Sequence, residues 1–183
     1  MTSRRMPNWL RRPDWCRNDV ARREVPVRAG GAAVSTTPFA PFGGRSPPVN
    51  HVFVYGTLRR GGSNDITRLQ PAPRFVGTAQ VCGKLYDLGA YPGIVLEGGG
   101  RVRGEVYAIT PALERQLDEI ECVYPQQSDE YFKRAISVDV SRPDGRVLDV
   151  MCICYEYNPR YLDGAALIAS GDWMRRHDSA IRN

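Results

Sequence analysis

Long apolar runs are missing from this 183-residue chain, and so are most of the signatures by which a sequence declares its chemistry. No stretch approaches the roughly 18 to 20 apolar residues of a membrane helix, and no N-terminal apolar segment resembles a secretory signal. The expectation is a cytoplasmic protein with no membrane partner. Histidine is scarce, with two in all, and the five cysteines, Cys16, Cys82, Cys122, Cys152 and Cys154, are an odd number without a CxxC pair. That set suits neither a disulfide framework nor a zinc site, and it reads as free thiols in a reducing compartment. A phosphate-binding glycine loop, a serine-nucleophile motif and metal-ligand spacing are absent as well.

What is abundant is positive charge, and its placement changes its meaning. The net charge of +5 invites a nucleic-acid reading until it is divided along the chain. Residues 1–50 hold nine arginines against Asp14, Asp19 and Glu24, which leaves residues 51–183 with sixteen basic and seventeen acidic side chains. The folded part therefore has no electrostatic footprint for a phosphate backbone, and no nucleic-acid partner is expected for it. In residues 1–50 prolines and paired glycines interrupt every candidate element except a weak helix over Asp14–Glu24. We expect a disordered arginine- and proline-rich extension over 1–50 and a single domain over 51–183. The extension reads first as a solvated tail or the product of an upstream start codon. Its arginine pairs, with Trp9 and Trp15 between them, also fit weak contact with RNA or acidic membrane, or an organelle transit peptide.

From His51 onward the pattern is rich in strands. Val52 to Tyr55 is short, β-branched and aromatic, a buried strand that stops abruptly at Gly56. Asp65 to Leu69 fits a short helix. Phe75 to Leu88 alternates well enough for one long or bent strand with irregularities at Gly77 and Gly83. Ala90 to Gly93 reads as a turn, Ile94 to Leu96 as a strand, Gly98 to Gly100 as a hairpin loop, and Val102 to Ile109 as a strand with Val102, Gly104, Val106 and Ala108 on one face. Tyr131 to Val140 and Val147 to Tyr157 form an antiparallel pair across Pro143-Asp144-Gly145, with Cys152 and Cys154 as small buried hydrophobes on one face. A helical segment around Tyr161 to Ser170 and a short basic helix to Arg182 complete the chain.

One helix is sharply drawn. Thr110 is a good N-cap and Pro111 suits the first helical position, so the helix runs from about Pro111 to Cys122. With Leu113 at zero and about 100° per residue, Ile120 and Leu117 fall within about 40°, Glu121 at about 80° and Glu119 at about 240°. Glu121 thus borders the buried stripe while Glu119 faces water. On geometry alone Glu121 reads first as a rim residue paired with an arginine, since Glu114 has a similar angle. An acid turned inward, however, costs several kcal/mol and needs a reason. Tyr55-Gly56-Thr57-Leu58 is likewise double-edged: most strands followed by a glycine turn are only that, yet a strand ending in a loop of free N–H groups also makes an anion or carbonyl site.

Taken together, Tyr55-Gly56-Thr57-Leu58, the strand Val102-Arg103-Gly104-Glu105-Val106-Tyr107, the helix end Leu117-Asp118-Glu119-Ile120-Glu121, Tyr131-Phe132-Lys133-Arg134 and Gly171-Asp172-Trp173, in that order, resemble the gamma-glutamylcyclotransferase-like family, including its AIG2-like and gamma-glutamylamine cyclotransferase branches. The resemblance covers about residues 51 to 175. It implies an α+β fold, a small mixed β-barrel with a few short helices. It implies a small-molecule γ-glutamyl substrate bound by the N–H groups of Tyr55, Gly56, Thr57 and Leu58, with Glu121 as the acid/base residue and no cofactor or metal. Cys122 stands where many members have glycine. The activity implied is cyclisation of a γ-glutamyl amine or peptide to 5-oxoproline with release of the amine. The alternatives are a carrier-linked γ-glutamyl substrate and a binding module without turnover.

Overall fold

The computed structural model describes residues 50–121, 123 and 129–176. The expected tail with its helix at Asp14–Glu24, Cys122, most of the loop after it and the basic segment beyond Arg176 lie outside the described residues. Chain order gives β1 (Asn50–Val54), β2 (Arg74–Cys82), β3 (Lys84–Asp87), β4 (Pro92–Val95), β5 (Arg101–Ile109), α1 (Pro111–Ile120), β6 (Tyr131–Ser141), β7 (Val147–Tyr157) and β8 (Ala166–Leu167). Short 3-10 turns sit at Ile66–Arg68, Pro159–Tyr161 and Trp173–Arg175.

Five strands close a barrel in the order β1, β5, β2, β6, β7. All neighbours are antiparallel except the closing pair, where β1 runs parallel to β7 through Val52 opposite Ile153. This is the small mixed barrel that the family resemblance implies. Its interior is filled by alternate side chains of each strand, among them Phe53, Val102, Val106, Ile136, Val140, Cys152 and Cys154. Gly104 lies on the inward face of β5 as its alternation requires. A Cβ there would come within 2.4 Å of the Phe53 ring, so the missing side chain is the space Phe53 occupies. Cys152 and Cys154 are buried free thiols, and burial pushes Cys152 up to about 12. Cys82, by contrast, is disulfide-bonded, with its partner outside the described residues, so the expectation of five free thiols does not hold for it.

A second core lies on the outside of the barrel under α1. Leu113 and Leu117 are fully buried there against Val52, Val54, Ile109 and Tyr155. Thr110 caps the helix, its hydroxyl accepting from the Leu113 N–H at 3.3 Å, and Pro111 occupies the first turn. The helix stops at Ile120, two residues short of the expected end, because Glu121 turns to ψ 9° as its C-cap. Ile120, expected on the buried stripe, is 42% exposed as a result.

Other differences trace to changes of hydrogen-bonding partner. The segment expected as one strand from Phe75 to Leu88 is two. β2 pairs with β5 and β6, with a register shift between Phe75 and Gly77, whereas β3 leaves the barrel after Gly83 to pair with β4 and β8. Pro92 and Gly93 belong to β4 rather than to a turn, and Gly98 to Gly100 connects two sheets rather than a hairpin. The segment read as helical from Tyr161 to Ser170 holds the end of one 3-10 turn and the two-residue β8. Among the described residues no helix is long and apolar enough to cross a membrane.

Candidate active site

The end of β1 and the end of α1 meet at one rim of the barrel. Tyr55 continues β1 inward: its ring is buried, and its hydroxyl donates to the Tyr155 carbonyl at 2.8 Å. Gly56 follows without a positive φ, so backbone freedom is not the reason for glycine here. The reason is Pro92, whose ring would stand 2.4 Å from any Cβ at position 56. The loop then folds on itself. The carbonyls of Gly56, Thr57 and Leu58 accept from Arg59, Asn64 and Ile66 at 3.1, 3.1 and 3.0 Å. The N–H groups of those three residues donate to no backbone acceptor among the described residues. A backbone N–H group without a backbone acceptor is available as a donor.

Arg59 fixes the loop from behind, a role not visible in the sequence reading. Its Nε donates to Glu105 Oε1 at 3.2 Å and its Nη1 to Asp172 Oδ1 at 2.7 Å. The second oxygen of Glu105 accepts from the Arg60 N–H at 3.0 Å and from the Tyr107 hydroxyl at 2.9 Å. Glu105 and Asp172 are both buried, and such carboxylates persist only when paired and hydrogen-bonded as these are. The available signal was an acid directly before the apolar end of β5, in Gly104-Glu105-Val106.

Opposite the loop, Glu121 projects from the C-cap of α1, with its N–H bonded to the Leu117 carbonyl at 2.9 Å. The helix is anchored to the barrel by a polar cluster on its flank. Tyr155 donates to Asp118 at 2.7 Å, and Lys133 bonds Asp118 at 2.8 Å and Glu114 at 2.5 Å. The two acids at similar wheel angles therefore part company: Glu114 is ion-paired with a lysine, while Glu121 faces a cavity. Glu119 is exposed, as expected.

That cavity, about 200 Å³, brings all the candidate residues together. Tyr55, Gly56, Thr57 and Leu58 form one wall and Glu121 another, with Tyr91, Pro92, Glu130, Tyr131 and Tyr155 completing it. Burial, with the charge of Glu130 second, pushes the Glu121 carboxyl up to about 7. The negative end of the helix dipole acts in the same direction. The same enclosure holds the phenols of Tyr55 and Tyr131 well above their ordinary range, first through burial and then through neighbouring groups that include Glu121. Chemically, the arrangement offers one carboxylate able to exchange a proton near neutrality and, on another wall of the same cavity, a loop whose N–H groups have no backbone acceptor among the described residues.

Comparison with known proteins gives a consistent answer. The family model described as gamma-glutamyl cyclotransferase, AIG2-like matches residues 52–175. The gamma-glutamylcyclotransferase family protein YtfP of Escherichia coli is 37% identical over 128 residues, which is 68% of this chain and 96% of that one. Among solved structures, an AIG2-like protein from Mus musculus superposes with a TM-score of 0.50 at 30% identity, covering 62% of this chain and 82% of the other. YkqA from Bacillus subtilis superposes with a TM-score of 0.54 at 26% identity, over 74% of this chain and 44% of that one.

Proposed function

The chain belongs to the gamma-glutamyl cyclotransferase, AIG2-like family, and from that membership we propose that it cyclises a γ-glutamyl amine or peptide to 5-oxoproline, releasing the amine, without a cofactor. The observation that carries the reading is the facing of Glu121, pushed up to about 7, and the Tyr55–Leu58 loop across one cavity.

The chemistry needs little else. In a γ-glutamyl amide the α-amine is tethered to its own electrophile, so attack on the γ-carbonyl closes a five-membered ring with a large proximity advantage. The amine is mostly an ammonium at neutral pH, with a pKa of about 8 or above, and a solvated glutamate near 4.3 accepts its proton poorly. A carboxylate at about 7 is far better matched. In this reading Glu121 takes one proton from the ammonium, and the freed amine forms the new C–N bond. The tetrahedral oxyanion, or the substrate's α-carboxylate, rests on the N–H groups of Gly56, Thr57 and Leu58. Collapse breaks the old amide bond as Glu121 gives its proton to the departing nitrogen, and the ring nitrogen then passes its second proton through the regenerated carboxylate to the released amine, which leaves as an ammonium beside the neutral lactam. A cavity of about 200 Å³ is below the roughly 300 Å³ at which drug-sized sites begin, which fits a γ-glutamyl group held inside and a leaving amine that extends outward.

The test is to incubate the full chain with γ-glutamyl dipeptides, γ-glutamylamines and glutathione and to follow 5-oxoproline by mass spectrometry. Product from at least one, abolished in Glu121→Gln, is the expected result. Calorimetric binding of these compounds with no product from any would replace the enzyme reading with a binding module.

A further inference from the structure

Cys82 is disulfide-bonded, and its partner follows by elimination. Cys152 and Cys154 are free thiols, which leaves Cys16 and Cys122. Cys122 is tied to the end of α1, one residue past Glu121, which shares the cavity with Tyr131. Cys82 stands well away from there. It closes β2 on the outer face, since Ala79 and Val81 point into the barrel, and in the strand order β1, β5, β2, β6, β7 it lies across the barrel from the β1 and β7 surface that α1 covers. Carried forward from Ala79 opposite Val140, the register brings Cys82 level with Ser137, six residues or about 20 Å along β6 from Tyr131. A disulfide reaches about 7 Å between Cα atoms and does not span that gap. We infer that Cys16 is the partner, and that this bond docks the N-terminal extension on the outer face of β2 and β5.

The surface around Cys82 suits such a segment. Its side chain opens on a groove of about 630 Å³ formed by outward side chains of three adjacent strands, among them Gln80 from β2, Arg101 and Arg103 from β5, and Asp139 from β6. The Gly83 N–H donates to the Gly100 carbonyl at 3.1 Å, which lays the loop before β5 alongside Cys82 and Lys84. Lys84, Glu97 and Arg101 each make a further interaction outside the described residues, as Cys82 does. Four neighbours that all reach out of the described chain at one place mark a covered surface. The charges about Cys16 match it: Arg12 and Asp14 precede the cysteine, and Arg17 and Asp19 follow it. On either side of the bond the extension therefore brings an arginine for Glu97 and a carboxylate for Lys84 and Arg101. Such pairs contribute little singly in water, and the covalent link supplies the high local concentration at which they act together. The groove extends to Arg59, so the docked segment lies behind the Tyr55–Leu58 wall of the active-site cavity. The bond forms when the two thiols pass two electrons and two protons to an oxidised low-molecular-weight disulfide, which leaves as two thiols.

The test begins with the full chain purified without reductant, unfolded in urea with N-ethylmaleimide and digested with trypsin. Mass spectrometry is expected to find residues 12–17 joined to residues 75–84 through Cys16 and Cys82, with Cys122, Cys152 and Cys154 alkylated. Alkylated Cys82, or Cys82 joined to Cys122 or to a second copy of itself, overturns the assignment. Docking is read separately, from the rate at which trypsin cuts the native chain after Arg17. A protease acts on the opened segment, so cleavage in the bonded chain is expected to be about tenfold or more slower than in Cys16→Ser. Dithiothreitol should bring the wild type to the variant's rate, since it returns two electrons and two protons to the pair and becomes a cyclic disulfide. Equal cleavage of the bonded chain and Cys16→Ser would leave a tether with no docked surface and overturn the second half of the inference.

Discussion

Replacing Glu121 by glutamine tests the site through stability as well as through activity. The carboxyl titrates at 4.5 in a solvated chain and at about 7 in the folded one. Below pH 4.5 both states are protonated and the group contributes no difference. Between pH 4.5 and 7 the native state keeps a proton that the unfolded chain has released, so stability falls as pH rises, by about 1.4 kcal/mol per pH unit. Over that interval the loss is about 3 kcal/mol, and above pH 7 it is complete. Glutamine keeps the shape and does not titrate. Urea unfolding of the two proteins should therefore give free energies within about 1 kcal/mol of each other at pH 5, with Glu121→Gln more stable by about 3 kcal/mol at pH 8.5. In the same variant 5-oxoproline formation should drop by about 10²- to 10⁴-fold, the usual weight of a general acid/base, while the wild-type rate rises with an apparent pKa near 7. A stability difference that does not change with pH, or a variant less stable at pH 8.5, would refute a desolvated, proton-holding Glu121.

Three further substitutions probe the surroundings. Glu119→Gln, two residues before it on the exposed face, should change stability by less than about 0.5 kcal/mol and leave turnover unaltered; a large effect would mean that the helix presents the wrong carboxylate. Gly56→Ala brings a methyl against the Pro92 ring and should cost about 1–3 kcal/mol by urea unfolding, with kcat/KM falling further than stability because the loop itself is displaced. Arg59→Met leaves the buried Glu105 and Asp172 without their shared cation and should cost about 3–5 kcal/mol, and adding Asp172→Asn should recover part of that loss.

The strands and the helix that carry the cavity's two walls were legible because each rests on local pattern, while the barrel and the joining of those walls in one site came from the family resemblance. Alternation placed Val102, Gly104, Val106 and Ala108 on one face, and Thr110 with Pro111 marked the helix start, all as found. What was not legible depends on partners distant in sequence. Nothing in Phe75 to Leu88 shows that Gly83 separates two sheets, since the apolar pattern runs through it and only the pairing changes. Tyr161 to Ser170 has helix-forming residues, but Ile168 donates to the Leu85 carbonyl at 2.8 Å, and that tertiary bond overrides local preference. The wheel placed Glu121 beside the buried stripe by assuming a helix that continues. The residue reaches the cavity from the cap, where the turn exposes Ile120. Arg59 was missed because its meaning lies 46 and 113 positions away, in Glu105 and Asp172.

The bond from Arg59 to Asp172 also sets an order of events during synthesis. The loop at Tyr55 to Leu58 is among the first parts of the described chain to leave the ribosome, and the residue that holds its arginine is among the last. β7, which closes the barrel against β1, is also late. Until then the nascent chain carries Glu105 and Arg59 without the Asp172 contact and β1 with one edge unpaired, an arrangement open to wrong pairing. The site is thus completed only with the far end of the fold, and damage around Asp172 is felt at a cleft whose main residues were made more than fifty positions earlier.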